Sequence, residues 1–336
     1  MNVLEKAWYS KAPWLFLLVP VAWCFRGLSA LRRKWQTPAP AHKSRAVPVI
    51  VVGNISVGGT GKTPLLIALV KHFQANAMTV GVISRGYGGK AGQYPLEVTS
   101  ASDPALAGDE PVLIATLCDC PVIVDPDRPR ALAQLTASHE LDVVLSDDGL
   151  QHYRLPRDME IVVVDGARLF GNGRCLPAGP LREPVSRLRT VDAVVLNGEP
   201  EAIPALLEDA VVMHLRPVLL RNLASDEQRN FNGAPFKLGY TIQAVAAIGN
   251  PHRFFKLLEQ LPYPLRRFPF PDHHPLTRAD LERAGVDLSQ PVVMTEKDGI
   301  KCRQFAANNW WAVQVEVDLP PDFLDALVKR VRDWPG

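Results

Sequence analysis

Cysteine is scarce in this chain of 336 residues: Cys24, Cys118, Cys120, Cys175 and Cys302 are odd in number and form no C-x-x-C pair. That spacing supports neither a disulfide framework nor a cysteine zinc site and suits the cytosol. Cys118 and Cys120, flanking Asp119, read more simply as two buried thiols at a strand edge than as metal ligands. A hydrophobic run of about 20 residues, the length a bilayer-spanning helix needs, is also missing. Internal repeats and low-complexity segments are absent, which argues against a solenoid or a disordered chain. Net charge is nearly absent too, at +2. With 47% hydrophobic and 21% charged residues, the chain can bury a sizeable core, enough for two α/β lobes or one large doubly wound domain.

The small net charge conceals an asymmetry. Residues 1–46 carry eight Lys or Arg against Glu5 alone, a net +7, so the remaining 290 residues carry −5. This arm also holds a fourteen-residue uncharged segment, APWLFLLVPVAWCF at 12–25. Runs of that length lie in a membrane interface or in a protein core. Trp8, Trp14, Trp23 and Trp35 suit a headgroup boundary, and the basic residues that follow suit an anionic cytoplasmic leaflet. A buried core helix and a cleaved signal peptide are the competing readings. No small-residue cleavage site precedes Arg26, which disfavours the second. The expectation is a peripheral membrane anchor over residues 1–36.

Residues 53–64, GNISVGGTGKTP, follow the apolar run 47–52 and precede an amphipathic helical pattern. This is the strand, glycine loop and helix order of a phosphate-binding P-loop. Ser56, Val57, Gly58, Gly59, Thr60 and Gly61 would wrap backbone N–H groups around phosphate oxygens, at a helix N-terminus that favours anions. Lys62 would reach the β- and γ-phosphates, and the Thr63 hydroxyl would hold magnesium. Pro64 suits a first helical turn. Ser56 stands where the G-x-x-x-x-G-K-[ST] pattern has glycine. The alternative is a glycine-rich turn that binds nothing.

Further β-like runs at 79–84, 122–125, 143–146, 161–165 and 193–197 alternate with helical stretches such as 129–138. That order predicts an α/β fold, a doubly wound and mainly parallel sheet of the P-loop NTPase kind. Its ligands would gather at the carboxyl ends of the strands, where Asn54, Arg85, Asp125, Asp147, Asp165 and Asn197 fall. From 211 to 241 the pattern loosens into a mixed polar stretch. A second α/β unit follows, with a strand at 244–248, a helix at 253–260 and a last strand at 292–295. The expected division is an arm (1–36), a nucleotide-binding core (37–215) that begins with a Pro/Ala/basic linker at 37–45, a hinge (216–240) and a smaller lobe (241–336).

Several polar clusters can carry chemistry. LDVVLSDD at 141–148 ends an apolar strand in two carboxylates, and Asp147 or Asp148 would hold the metal of a P-loop protein. They can also be plain turn residues. Asp109, in Gly108-Asp109-Glu110-Pro111, is either a helix N-cap or the base that accepts an acceptor hydroxyl's proton. His273 and His274 lack a third ligand at metal spacing, and a histidine orienting a carboxylate is the better use. Arg182, Arg85 and Arg128 can clamp phosphates. Tyr87 can stack on a base or be a loop aromatic. No N-K-x-D guanine signature follows the core strands, which favours ATP over GTP.

Taken in order, VGNISVGGTGKTP (52–64), SRGYGG (84–89), GDEP (108–111), DDGLQH (147–152), AGPLREP (178–184), GNPHRFF (249–255), PDHH (271–274) and TEKD (295–298) resemble the tetraacyldisaccharide 4′-kinases of Gram-negative bacteria. The resemblance covers about residues 47–300, and the N-terminal arm looks like the family's membrane-associated helix. It implies transfer of the γ-phosphate of ATP to the 4′-hydroxyl of a tetraacylated glucosamine disaccharide 1-phosphate at the cytoplasmic face of the inner membrane. It further implies that Lys62 and Thr63 serve ATP and Mg2+, that Asp147 and Asp148 serve the metal, and that Asp109 is the catalytic carboxylate. Asp109 would pair with His273 or with His274, of which His273 is preferred. Arg128, Arg182 and Glu183 would line the phosphate and metal region with Gln151, His152 and His274, and Tyr87 would lie near the base. No nucleic acid and no obligatory protein partner is expected. A membrane-associated GTPase or ATPase switch would share Lys62, Thr63 and Asp147 but leave Asp109 and the histidines without a task.

Overall fold

The structure is a computed structural model that describes residues 3–10, 12–37, 47–233 and 235–335. Of the linker expected at 37–45, all but Thr37 lies outside the described residues.

The first lobe is a sheet of β1 (Val49–Gly53), β2 (Val80–Ser84), β3 (Leu96–Val98), β4 (Val122–Val124), β5 (Val143–Asp147), β6 (Met159–Asp165) and β7 (Ala193–Asn197). In space the order is β3-β4-β2-β5-β1-β6-β7, all parallel except β3, which runs antiparallel to β4. β1, β2 and β5 are buried at every position, as expected of parallel strands covered on both faces. One face packs the helices Lys62–Ala75 and Asp109–Leu117, and the other packs Arg128–Ser138. The helix Lys62–Ala75 buries Leu65, Leu66, Leu69, Val70 and Phe73, a 3.6-period stripe aimed at the sheet.

The stretch that looks irregular from 211 onward contains β8 (Val211–Asn222), a twelve-residue strand, and then β9 (Gln228–Asn230). Pro217 masks β8 in the sequence. It sits where the register against the partner strand shifts by one residue, the bulge position that a strand proline requires. The second lobe adds β10 (Ile242–Ala246), β11 (Leu265–Pro269), β12 (Val292–Thr295) and β13 (Trp310–Asp318). The strand at 292–295 is therefore not the last. β8 pairs parallel with β7 through its first residues and antiparallel with β13 through the rest. These two long strands join the lobes into one continuous sheet, in the order β7-β8-β13-β12-β10-β11.

The chain's last helix, Pro321–Arg332, returns to the first lobe. Leu327, Val328 and Val331 pack with Leu65, Leu69 and Val70 of the P-loop helix. Residues 321–332 thus belong physically with the core, not with the lobe that precedes them in sequence.

The arm forms a short helix, Val3–Ser10, followed by a continuous helical segment Pro13–Gln36. This segment is longer than the uncharged run because Gly27, Leu28, Ser29, Ala30 and Leu31 extend its apolar character past Arg26. By length and composition alone it is able to cross a membrane, and only 11% of its most apolar window is buried. Trp14, Phe16, Leu17, Val21, Trp23 and Trp35 are exposed. Trp8 is not available to an interface, because it is buried with Ala7 and Leu15 and donates its Nε1–H to the Pro177 carbonyl at 3.0 Å.

Candidate active site

The carboxyl ends of the first-lobe strands and the facing loops of the second lobe enclose a cleft of about 1960 Å³. Sites for single small ligands usually measure about 300–1,000 Å³, so this cleft has room for two substrates side by side. The P-loop forms its floor. Gly61 has φ +98°, and a Cβ there would lie 2.2 Å from the Asn197 amide nitrogen. Asn197 donates to the Thr60 carbonyl at 2.8 Å, and Asn54 donates to the Thr60 hydroxyl at 3.3 Å. The loop is thereby braced from β1 and β7. Among the described residues Ser56 is absent from those with positive φ and bridges to Leu181, so its place in the loop does not demand glycine.

Beside the loop, the Lys62 ammonium lies 3.5 Å from Asp148, which Arg182 approaches to 3.2 Å. Burial works against an ionised Asp148, but these two cations hold its carboxyl well below the usual range. Asp147 behaves in the opposite way. Burial, then Glu110 and Asp148, push it up to about 7, and its Oδ1 is buried without a hydrogen-bond partner. Arg128, almost fully buried, donates to the Asp147 carbonyl at 2.5 Å while its Nε and Nη1 stay unpartnered. Burial, with Arg128 and Arg85 nearby, lowers His152 to about 3 and keeps it neutral. Thr63, Asp147 and Asp148 line the cleft together, and among the described residues the Asp147 Oδ1 has no hydrogen-bond partner, so these are the side chains that could hold a divalent cation.

The facing wall brings Asp109 and His273 together from different lobes. The Asp109 backbone follows Gly108, whose φ of +93° opens the helix Asp109–Leu117. His273 itself has φ +57°, a left-handed conformation that histidine tolerates better than bulkier residues. Its Nδ1 lies 3.2 Å from both carboxylate oxygens of Asp109. Asp109 is lowered to about 2: burial opposes ionisation, but the His273 hydrogen bond, Lys297 and Lys301 outweigh it. His273 is raised, because the Asp109 bond overcomes burial and the opposing charge of Lys297.

Other expected residues fall elsewhere. His274 turns away from Asp109, stacks on Phe270 and approaches Asp280 at 3.5 Å. Tyr87 packs edge-on against the His273 ring, with centroids 4.7 Å apart. Glu183 does not line the cleft. It accepts from Gln151 at 2.8 Å and lies 3.3 Å from Arg187. Asp125 is held by Arg130 and does not line the cleft.

Two groups escape the sequence reading. Arg168 donates to the Gly59 carbonyl at 2.7 Å and to the Gly249 carbonyl at 3.0 Å, tying the P-loop to the second lobe. Asp165 holds Arg168, Arg253 and Asn250 together there. Gly249 has to be glycine, since a Cβ would lie 2.1 Å from the Gly59 nitrogen. Lys297 and Lys301, from the helix Glu296–Cys302, surround Asp109 on the other side. The signals in the sequence were that Arg168 follows the β6 end by three residues and that Lys297 stands in TEKD (295–298), two residues past the end of β12.

The sequence pattern of the family described as tetraacyldisaccharide-1-P 4′-kinase matches residues 14–332. The chain is 46% identical over 336 residues to the tetraacyldisaccharide 4′-kinase of Hahella chejuensis, covering 98% of this chain and 96% of that protein. It is 48% identical to the enzyme of that name from Pseudomonas paraeruginosa, covering 96% and 94%. Its fold is similar to the crystal structure of LpxK from Aquifex aeolicus in complex with ATP, with TM-score 0.73, 27% identity, and 94% and 99% of the two chains covered. The P-loop, the paired carboxylates of β5 and the Asp109–His273 pair thus sit in a chain that belongs to the tetraacyldisaccharide 4′-kinase family.

Proposed function

We infer that this protein is a lipid kinase of lipid A biosynthesis, which transfers the γ-phosphoryl group of ATP to the 4′-hydroxyl of a tetraacylated glucosamine disaccharide 1-phosphate. Family membership fixes the reaction class. The observation within the molecule that carries the reading is the Asp109–His273 pair, 3.2 Å apart, whose histidine lines the same cleft as Lys62 while Asp109 is buried behind it. A nucleotide switch needs no such base, since it has no acceptor to deprotonate.

In this reading the P-loop amides and Lys62 hold the β- and γ-phosphates, and Arg128, Arg182, Gln151 and His152 line the path of the transferring group. Thr63, Asp147 and Asp148 would hold a magnesium ion, with Glu183 behind them through Gln151. The ion would supply charge neutralisation on the β- and γ-phosphates. Asp109 takes the proton of the acceptor hydroxyl. The oxygen's electron pair forms the new bond to phosphorus as the bond to the β-phosphate oxygen breaks, and ADP leaves. Tyr87 touches the ring of His273, so we assign it to the acceptor side of the cleft as much as to the nucleotide.

The arm would bring a tetraacylated acceptor to the cleft. Its exposed face carries Trp14, Phe16, Leu17 and Trp23, while Tyr9, Phe25 and Arg32 line the cleft itself. The same element would rest on the cytoplasmic face of the inner membrane and lead a headgroup inward. The test is to incubate the protein with labelled ATP and the disaccharide lipid. Label should enter the lipid; label released only as free phosphate would favour the switch, and no turnover would leave neither activity standing.

A further inference from the structure

We propose that Lys297 is a positioning residue for proton transfer: its ammonium, held by Glu110 of the other lobe, donates to Nε2 of His273, places the proton of the neutral ring on Nδ1 facing Asp109, and resists a second proton on Nε2. The proposal rests on Asp109 and His273 acting as the proton-accepting pair.

The geometry allows few alternatives. Lys297 Nζ lies 2.8 Å from Glu110, 3.3 Å from His273 Nε2 and 3.9 Å from Asp109. A protonated Nε2 would point its N–H at an ammonium 3.3 Å away, two donors with no acceptor between them. Lys297 therefore opposes a proton on Nε2, against the carboxylates of Asp109 and Asp272 that favour the charged ring. Lys297 is held charged against burial by Glu110, Asp109 and Asp272, so the nitrogen of the ring is the one that accepts. The remaining ring proton then sits on Nδ1, facing Asp109 at 3.2 Å.

This arrangement matters for the base. A neutral N–H withdraws less charge from a carboxylate than an imidazolium does, so Asp109 keeps more of its strength toward the acceptor hydroxyl. The groups facing the ring are Asp109 from the first lobe, Asp272 at 3.8 Å from its own loop, Lys297 from the helix Glu296–Cys302, and Tyr87 edge-on. Lys301, bonded to Asp298 and to the His274 carbonyl, anchors the histidine loop independently. Loss of Lys297 should therefore change the ring's protonation without releasing the loop. Because Glu110 belongs to the first lobe and Lys297 to the second, the tautomer is set only while the lobes meet.

Full-length protein labelled with 15N-histidine, together with Lys297→Met and Lys297→Arg, tests this by NMR titration and by the pH dependence of kcat. The wild-type His273 should show its proton on Nδ1. In Lys297→Met the ring should take up its second proton at higher pH, and the acid limb of kcat should move up with it. The loss of kcat should reach at least about tenfold at low pH, shrink as pH rises and leave KM for ATP within about twofold. Lys297→Arg should keep the tautomer and most of the rate. An unchanged tautomer and titration in Lys297→Met, or a rate loss equal at every pH, would overturn the proposal. Asp109→Asn and His273→Ala in the same assay separate the two levels. If both keep wild-type kcat, the proton-accepting pair is wrong, whereas the titration of the ring still decides what Lys297 does to it.

Discussion

Lys62 reaches its place from a turn whose working residues are neighbours in sequence, whereas His273 reaches Asp109 across 164 positions and from the other lobe. The two corners of one cleft are built in different ways. At the P-loop, glycine conformation, the N-terminus of the helix Lys62–Ala75 and braces from Asn54 and Asn197 all come from one lobe, which the second lobe meets through Arg168 and the close approach of Gly249. At Asp109, the arrangement is complete only where the segments that follow β11 and β12 of the second lobe bring His273 and Lys297 against the helix Asp109–Leu117. In the proposed roles, phosphate binding is local and proton transfer is an inter-lobe event, which would couple catalysis to closure.

The largest effect should come from the local corner. Lys62→Ala removes the cation nearest the transferring phosphoryl group, and charge placement dominates phosphoryl transfer. We expect kcat to fall by at least about 10³-fold, measured at saturating ATP. Near-normal turnover would break the comparison at its strong end. In this variant Asp148 also loses one of its two cations and keeps only Arg182 at 3.2 Å.

Next comes the shared corner. Asp109→Ala and His273→Ala should each cost about 10²–10⁴-fold in kcat with ATP affinity little changed. The double variant should be barely worse than either single one, because groups acting as a unit are not additive. Fully multiplicative losses would show that the two residues act separately. Strong loss at His274→Ala would contradict its position against Phe270 and Asp280.

The same contrast explains what the sequence made legible. β1, β2, β5, β6 and β7 are short, mainly apolar and end in or just before a polar residue, so both the strands and their carboxyl edge could be read from pattern alone. The P-loop was legible because its chemistry is a spacing. β8 was not, since Arg216 and Pro217 interrupt the apolar alternation and only pairing with β13 makes it a strand. The return of Pro321–Arg332 to the first lobe was hidden for a related reason: its stripe of Leu327, Val328 and Val331 says that it packs, not against what. The contacts of Arg168 and Lys297 were hidden because they include a backbone carbonyl and side chains of the opposite lobe, although Lys297 stood within TEKD. The resemblance supplied Asp109 and narrowed its partner to the two histidines, and geometry then set His273 apart from His274.

The arm offers a third test, on a region that belongs to neither corner. Burying one large apolar side chain is worth about 1.5–3 kcal/mol, against about 1 kcal/mol for each basic residue near an anionic surface. Apolar insertion should therefore dominate adhesion. Replacing Trp14, Phe16, Leu17 and Trp23 by serine should release most of the protein from anionic vesicles in a sedimentation assay, whereas high salt should release only part of it. These side chains are exposed, so activity on a detergent-dispersed acceptor should persist. Complete release by salt alone would make the arm an electrostatic tether instead.

The smallest effect sharpens the comparison from the side of stability. Glu296 begins the helix that carries Lys297, is buried, and lies 3.6 Å from Arg221 of β8. Burial pushes its carboxyl up to about 7 in spite of Arg221 and Lys71. An unfolded glutamate titrates near about 4.3, so between these values the folded chain holds a proton that the unfolded chain has lost. By linkage, stability is greatest below about 4.3 for this group and falls as pH rises toward about 7. Each unit of such a shift is worth about 1.4 kcal/mol, which bounds the effect at about 4 kcal/mol. Glu296→Gln keeps the shape and removes the charge. It should leave the melting temperature little changed at pH 5 and raise it by a few degrees at pH 8. Equal effects at both pH values would mean that Arg221 keeps Glu296 ionised throughout. The second lobe would then meet the cleft through an ordinary ion pair and not through a carboxyl group that burial keeps close to neutral.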